Sequence, residues 1–270
     1  MPTAIDLIAL DLDGTLLAPD ETISPRNRAA ISAALAAGIR VVLVTGRGVD
    51  TPIRVSRELG LNLPVICCHG ALTKDFGANK TLVHIPVPLQ YAMPMIELAE
   101  RERLPFAVYL DEAFYRLAGT PIVMDDMRGP GWHEVDSLRE LLTSAPTFLR
   151  FLGADSIRRM QSVFGDLPLS FRHESWHAFE ECAVLSREAS KRNALARLCA
   201  DFQITPDRVM AVGDSRNDVP MLRWAKVGVA MANALPEVRQ AVRHVTAGND
   251  EDGVALAIER FALPPKRKSA

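Results

Sequence analysis

The chain has 270 residues, of which 48% are hydrophobic and 24% charged, and a formal net charge of -2. This length exceeds the roughly 100–200 residues of one ordinary domain and predicts two, while the composition suits a chain with a sizeable core and excludes general disorder. A near-neutral balance lacks the clustered basic charge of a protein that binds nucleic-acid polymers, and no stretch approaches the roughly 20 apolar residues that span a bilayer.

Leu7–Leu10 predicts a buried strand. Ser24 then caps a helix with Pro25 at its first position, the alanine-rich run 29–37 propagates it, and Gly38 ends it. A second strand is expected at 41–44, a helix including 54–59, and a third strand at 64–68. Short apolar runs alternating with amphipathic ones are the pattern of βαβ units and a parallel sheet. The middle, roughly 84–183, changes character: a helix near 89–103, two strands within 106–117, then a strand, a helix and two strands over 147–182. That segment reads as an inserted α+β domain, so the expected divisions are 1–83, 84–185 and 186–270. In the last third, Leu195, Leu198, Cys199 and Phe202 fall at helical spacing within 191–202; strands follow at 209–212 and 227–231, and a helix from about 251 closes the chain. The predicted fold class is α/β, a Rossmann-like doubly wound, mostly parallel sheet core carrying the α+β insertion.

Cys67, Cys68, Cys182 and Cys199 show neither CxxC spacing nor a disulfide framework, so reduced, buried thiols and a cytoplasmic location are expected. The N-terminal residues carry no export signal. The basic tail 264–270 is expected to be a solvated terminus, and no obligate protein partner is evident.

Four clusters fall where such a sheet places chemistry. Asp11-Leu12-Asp13-Gly14-Thr15 leaves the first strand at its carboxyl end, where open α/β sheets bind ligands. Two carboxylates at i and i+2 project to one side, and together they could hold a hard cation. Standing alone, the turn is equally an acidic strand-to-helix connection with an Asp cap. Thr45-Gly46-Arg47 offers a hydroxyl and exposed N–H groups to a phosphate oxygen, or a helix cap. Lys191, at a helix start, could neutralise charge that develops in phosphoryl transfer, or be a solvated surface residue. Gly213-Asp214-Ser215-Arg216-Asn217-Asp218 follows a strand and crowds oxygen donors into one turn, which suits Mg²⁺ or a plain Asx turn. All four at strand ends or a helix start are a poor match to coincidence.

The order DLDGTL, TGR, SK, GDSRND resembles the haloacid dehalogenase-like superfamily, in its Cof-type, class IIB branch of phosphatases. The likeness continues through Gly213–Gly253, and the α+β segment sits between the second and third motifs, where that branch carries a cap. The resemblance implies a Mg²⁺-dependent phosphatase of a small phosphorylated metabolite: a sugar phosphate or a cofactor or nucleotide phosphate. Asp11 would attack phosphorus to give an aspartyl-phosphate, and Asp13 would serve as acid and then base. The metal would be held by Asp11, the Asp13 carbonyl and Asp214, with Asp218 in support. Thr45, Gly46, Arg47, Asn217 and Lys191 would position the phosphoryl group. A sugar phosphomutase using the same intermediate, or a catalytically silent binding protein, are the competing readings.

The chain departs from the pattern at His69-Gly70-Ala71, where many members have Asn-Gly-Ala; His69 could contact substrate or merely fix its loop. The resemblance places specificity in the cap, where Tyr115, Arg128, Trp132, His133, Arg172, His173, Trp176 and His177 are candidates, each more often structural in such a domain.

Overall fold

The computed structural model describes residues 5–121, 131–176 and 179–263. β1 (Leu7–Leu10) leads through α1 (Pro25–Ala36) to β2 (Arg40–Leu43), and through α2 (Asp50–Glu58) to β3 (Val65–Cys67), β4 (Leu72–Asp75) and β5 (Lys80–His84). The middle runs α3 (Leu89–Glu102), β6 (Phe106–Leu110), β7 (Ala113–Leu117), β8 (Trp132–Val135), α4 (Leu138–Leu141), β9 (Phe148–Leu152), α5 (Ala154–Phe164), β10 (Leu169–Trp176) and β11 (Phe179–Ser186). The chain closes with α6 (Lys191–Asp201), β12 (Val209–Gly213), α7 (Val219–Trp224), β13 (Val227–Ala230), α8 (Pro236–Gln240), β14 (His244–Val245) and α9 (Gly253–Phe261).

Two compact units emerge: Met1–Leu82 with Ser190–Ala270, and Val83–Ala189. The first is built on a sheet of order β14-β13-β12-β1-β2, paired in parallel throughout. Every residue of β1 is buried, as expected of a strand covered on both faces. Leu7, Ile8 and Leu10, fully buried, each contribute roughly 1.5–3 kcal/mol by leaving water. β1 is flanked by β2, which follows it in sequence, and by β12, which returns from the far end of the chain. That reversal opens a crevice at the carboxyl ends of the strands. Leu10 lies opposite both Val212 and Leu43, so the residues following β1, β2 and β12 emerge along one edge. A bridge between Val44 and Ile66 brings β3 to the same edge.

Local chemistry sets the helix starts. The Ser24 hydroxyl accepts from Asn27 N at 3.1 Å with Pro25 in the first turn, a cap contributing about 1 kcal/mol. Asn27 is itself buried, and its Oδ1 accepts from Ala255 N at 2.8 Å, joining α1 to α9. Ser190 caps α6 in the same way through Asn193 N.

The second unit is a six-stranded sheet of order β10-β11-β9-β6-β7-β8. Its core joins Met95 and Ile96 of α3, Leu138 of α4 and Ile157 and Met160 of α5 to Phe106, Phe151 and Val184 of the sheet.

The α/β class, the apolar strands and the longer helices follow the sequence reading; several short or polar elements are not anticipated by it. The antiparallel β4, the strands β5, β8 and β14 and the helices α4, α7 and α8 carry too few residues, or too little apolar alternation, to show a period. In β5, Lys-Thr-Leu-Val-His exposes four of its five residues. Residues 44 and 231 end just outside the strands expected to contain them. Arg128, His177 and the tail 264–270 lie outside the described residues. All four cysteines are free and buried. Among the described residues, no helix is long and apolar enough to cross a membrane.

Candidate active site

Asp11 is the first residue past β1, and its amide extends the ladder to Val212 O at 3.1 Å. Its side chain is buried, and Oδ1 accepts from Lys191 Nζ at 2.7 Å. Lys191, the first residue of α6, is 1% exposed and donates equally, at 2.7 Å, to Asp218 Oδ1. The other oxygen of Asp218 accepts from Asp214 N at 3.1 Å, and from Ser215 N and Oγ at 3.0 Å. Asp218 therefore folds the loop after β12 onto itself and ties it to α6. Asp214 Oδ1 accepts from Thr15 Oγ1 at 3.2 Å. One oxygen from each of Asp11, Asp214 and Asp218 lies within 4.8 Å of the others.

Three carboxylates share one ammonium, and the protonation energetics follow. Burial pushes the Asp11 carboxyl well above the usual range; Asp218 and Asp214 push the same way and Lys191 opposes them. Burial, then Asp218, raises Asp214 to about 7, against the pull of Lys191. Burial disfavours the Lys191 ammonium, yet Asp11 and Asp218 outweigh it and hold the lysine above its ordinary value. The partners shift in ways that favour charge on one and disfavour it on the other because Lys191 faces only acids, whereas Asp11 faces two further acids. The surplus of hard oxygen donors fits a divalent cation, which would offset the carboxylate repulsion that adds to burial in raising the two aspartates.

Gly14 and Gly70 make this packing possible. Gly14 has φ +67°, and the Asp214 carboxyl occupies the space a Cβ would need. Gly70 has φ +91°, and its missing Cβ gives way to the backbone of Ser190 and Lys191. Any other residue at either position meets both left-handed strain and a clash.

Thr45 is fully buried after β2, and its Oγ1 accepts from Arg47 N at 3.1 Å. Arg47 turns its side chain to Asp13: Nε lies 2.9 Å from Oδ2, and Nη2 lies 2.5 Å from Oδ1 and 2.7 Å from Glu21 Oε1. The Asp13 carboxylate thus faces Arg47, while Asp11, Asp214 and Asp218 face one another. Asn217 accepts from Ser215 Oγ at 2.9 Å, and its Nδ2 lies 3.3 Å from His69 Nδ1. His69 is buried against Gly46, where any Cβ would meet its ring. Its own amide donates to Thr45 O at 3.0 Å. Sequence reading singled out Asp11, Asp13, Thr45, Gly46, Arg47, Lys191, Asp214, Asn217 and Asp218; Lys191 opens α6 and the others lie on the connections after β1, β2 and β12. It missed Thr15 and Ser215, which stand inside the quoted motifs, and Glu21, for which spacing gives no signal.

Within the second unit, Tyr115 stacks on His133 with ring centroids 5.2 Å apart, and Trp132 stacks on Phe114 at 4.6 Å. Arg172 donates to Ala189 O at 3.1 Å, and His173 Nε2 lies 2.9 Å from Gln161 Nε2.

The chain matches the family model of haloacid dehalogenase-like hydrolases over residues 8–258. It is 30% identical over 266 residues to a pyridoxal phosphate phosphatase of Escherichia coli (strain K12), covering 93% of this chain and 97% of that one. It is 31% identical over 278 residues to a phosphatase of Bacillus subtilis (strain 168), covering 92% and 97%. Among solved structures, it is similar to a haloacid dehalogenase-like hydrolase from Bacteroides thetaiotaomicron, with TM-score 0.82, 26% identity and coverage of 95% and 99%.

Proposed function

The chain belongs to the haloacid dehalogenase-like hydrolase family, and from that premise we propose that it is a Mg²⁺-dependent phosphatase of small phosphorylated metabolites with Asp11 as nucleophile. Its activity class is hydrolysis of phosphoric monoesters. The observation that carries the proposal is the buried Asp11 carboxylate held at 2.7 Å by Lys191 beside Asp214 and Asp218.

In the proposed reaction an Asp11 oxygen forms a bond to phosphorus as the ester P–O bond breaks, and the departing oxygen takes its proton from Asp13. Asp13 then withdraws a proton from water; that water's oxygen attacks phosphorus, the bond to Asp11 breaks, and inorganic phosphate leaves. Arg47 meets both Asp13 oxygens, each of which keeps a further lone-pair site at which a proton can be held. Lys191 and the Thr45 hydroxyl meet the phosphoryl oxygens, and Asn217 supports them. The cation would be held by Asp11, Asp214 and the Asp13 carbonyl with Asp218 behind them, and when bound it supplies neutralisation of the phosphoryl charge. Residues 84–185 are our reading of a substrate-selecting cap, on the strength of their place between the second and third motifs. The free, buried cysteines support a cytoplasmic setting.

The test is phosphate release from a panel that includes pyridoxal phosphate, hexose phosphates, nucleotides and p-nitrophenyl phosphate, with Mg²⁺ or with EDTA. Turnover is expected with the metal, and loss with EDTA and in Asp11→Asn. Retained turnover in Asp11→Asn removes the nucleophile assignment; an isomerised ester in place of free phosphate makes the protein a mutase.

A further inference from the structure

The turn that carries Asp13 is held from outside by two asparagines that no motif of the proposed reaction uses. Inside the turn, Leu12 O accepts from the amides of Thr15, Leu16 and Leu17 at 3.2, 2.9 and 2.9 Å. Leu17 is also bridged to Asp13 within the turn, and the Gly14 and Leu17 carbonyls accept from side chains outside it. Asn233 Nδ2 donates to Gly14 O at 2.8 Å, and Asn249 Nδ2 donates to Leu17 O at 2.7 Å.

The two clamps are one device. Asn249 N donates to Asn233 Oδ1 at 3.0 Å, so the main chain at one asparagine orients the side-chain amide of the other. Their loops follow β13 and β14 and are joined by Ala232 N to Ala247 O at 3.2 Å. The second loop is closed by Gly248 N on Glu251 Oε2 at 3.2 Å and by Gly253 N on Gly248 O at 3.1 Å. On its other side, the Asp13 carboxylate is gripped by Arg47 from the connection after β2. Asp13 is thereby held from two sides of β1, its side chain by Arg47 and the turn that follows it, at Gly14 and Leu17, by the asparagines.

We propose that Asn233 and Asn249 are positioning residues for Asp13, acting through the Gly14 and Leu17 carbonyls to keep its carboxyl within proton-transfer reach of the ester oxygen. The proposal rests on the reading of Asp13 as acid and base. Proton transfer is sensitive to misplacement, where 1 Å can cost on the order of a hundredfold. Nucleophilic attack by Asp11 is anchored separately, by β1 and Lys191. Releasing the clamp therefore slows ester cleavage in proportion to the leaving oxygen's need for a proton, and slows hydrolysis of the Asp11 intermediate, for which Asp13 is the base, equally for every ester.

The leaving group separates these effects. A p-nitrophenolate departs with little help from an acid, whereas a hexose alkoxide needs its proton. Asn233→Ala, Asn249→Ala and the double variant are compared with wild type on p-nitrophenyl phosphate and on a hexose 6-phosphate, with Asp13→Asn as reference. The expected result is a kcat/KM loss of about tenfold or more on the hexose ester and about threefold or less on the aryl ester, because kcat/KM counts the steps through ester cleavage and not the later hydrolysis common to both. The double variant should be little worse than either single one, as befits one unit. Equal losses on both esters, or none, overturn the positioning role. If Asp13→Asn itself shows no leaving-group dependence, the acid-base reading has failed instead. Hydrogen exchange gives an arm free of activity: the Thr15, Leu16 and Leu17 amides should exchange about tenfold faster in Asn249→Ala while those of β12 are unchanged. Unchanged exchange at these three amides overturns the clamp whatever the kinetics.

Discussion

Lys191 Nζ donates to Asp11 Oδ1 across 2.7 Å, joining the start of α6 to the end of β1 over 180 positions of sequence. The same ammonium reaches Asp218, so its loss leaves three carboxylates together with no cation among them. Lys191→Met is expected to lower kcat by about a hundredfold or more. In EDTA it should destabilise the fold by about 3–5 kcal/mol, the usual cost of stripping one partner from a buried ionic group. Urea unfolding with and without Mg²⁺ checks this, since the metal should return part of the loss. A variant within about threefold of wild-type kcat would remove Lys191 from the proposed chemistry.

A pH signature follows from Asp214, whose pKa rises from 3.8 to about 7, chiefly through burial. Between those two values the folded protein binds more protons than the unfolded chain. The contribution of this group is therefore full below about 3.8 and is lost as pH rises through about 7. Metal-free wild type should lose roughly 5 °C more in Tm between about pH 5 and about pH 8 than Asp214→Asn does. Adding Mg²⁺ should remove the difference at the higher pH. Parallel Tm profiles of wild type and variant in EDTA would contradict it.

Arg47 meets both oxygens of Asp13 and also Glu21, a fork that a lysine cannot reproduce. Arg47→Lys is expected to reduce kcat about tenfold or more. Glu21→Gln removes the partner whose side chain is 57% exposed and should change stability by less than about 1 kcal/mol. Steady-state kinetics and thermal unfolding of the two variants decide between a fork that matters at Asp13 and a surface ion pair.

His69 occupies the space beside Gly46 and stands 3.3 Å from the Asn217 amide. His69→Ala should free that amide, raise KM and the inhibition constant of inorganic phosphate about threefold to tenfold, and cost about 1–3 kcal/mol. His69→Asn, which keeps a polar side chain in the loop, should recover most of the affinity. Equal inhibition constants for wild type and His69→Ala would leave His69 a purely structural residue.

Much of the site is legible in the sequence alone because a parallel sheet sends its functional groups to the carboxyl ends of its strands. Asp11, Thr45 and Asp214 each follow an apolar run, and Lys191 stands at the start of a periodic one. The apolar β1 and the longer α1, α3 and α6 are equally plain, since each is apolar or long enough to express its period. The two-residue β14 and the mostly exposed β5 could not be read, for they are strands by virtue of their neighbours rather than of their composition.

The sequence by itself determined the α/β class, the βαβ order and the residue types that the chemistry needs, because these depend on local periodicity and on motifs a few residues long. Only the tertiary structure decided which groups meet. It paired Asp13 with Arg47, set Asp218 between Lys191 and its own loop, and brought Asn233 and Asn249 to the turn after Asp13. These contacts span tens to hundreds of positions. They form where strand order places β12 and β13 on one side of β1 and β2 on the other, a consequence of burying the whole sheet that no local stretch of chain encodes.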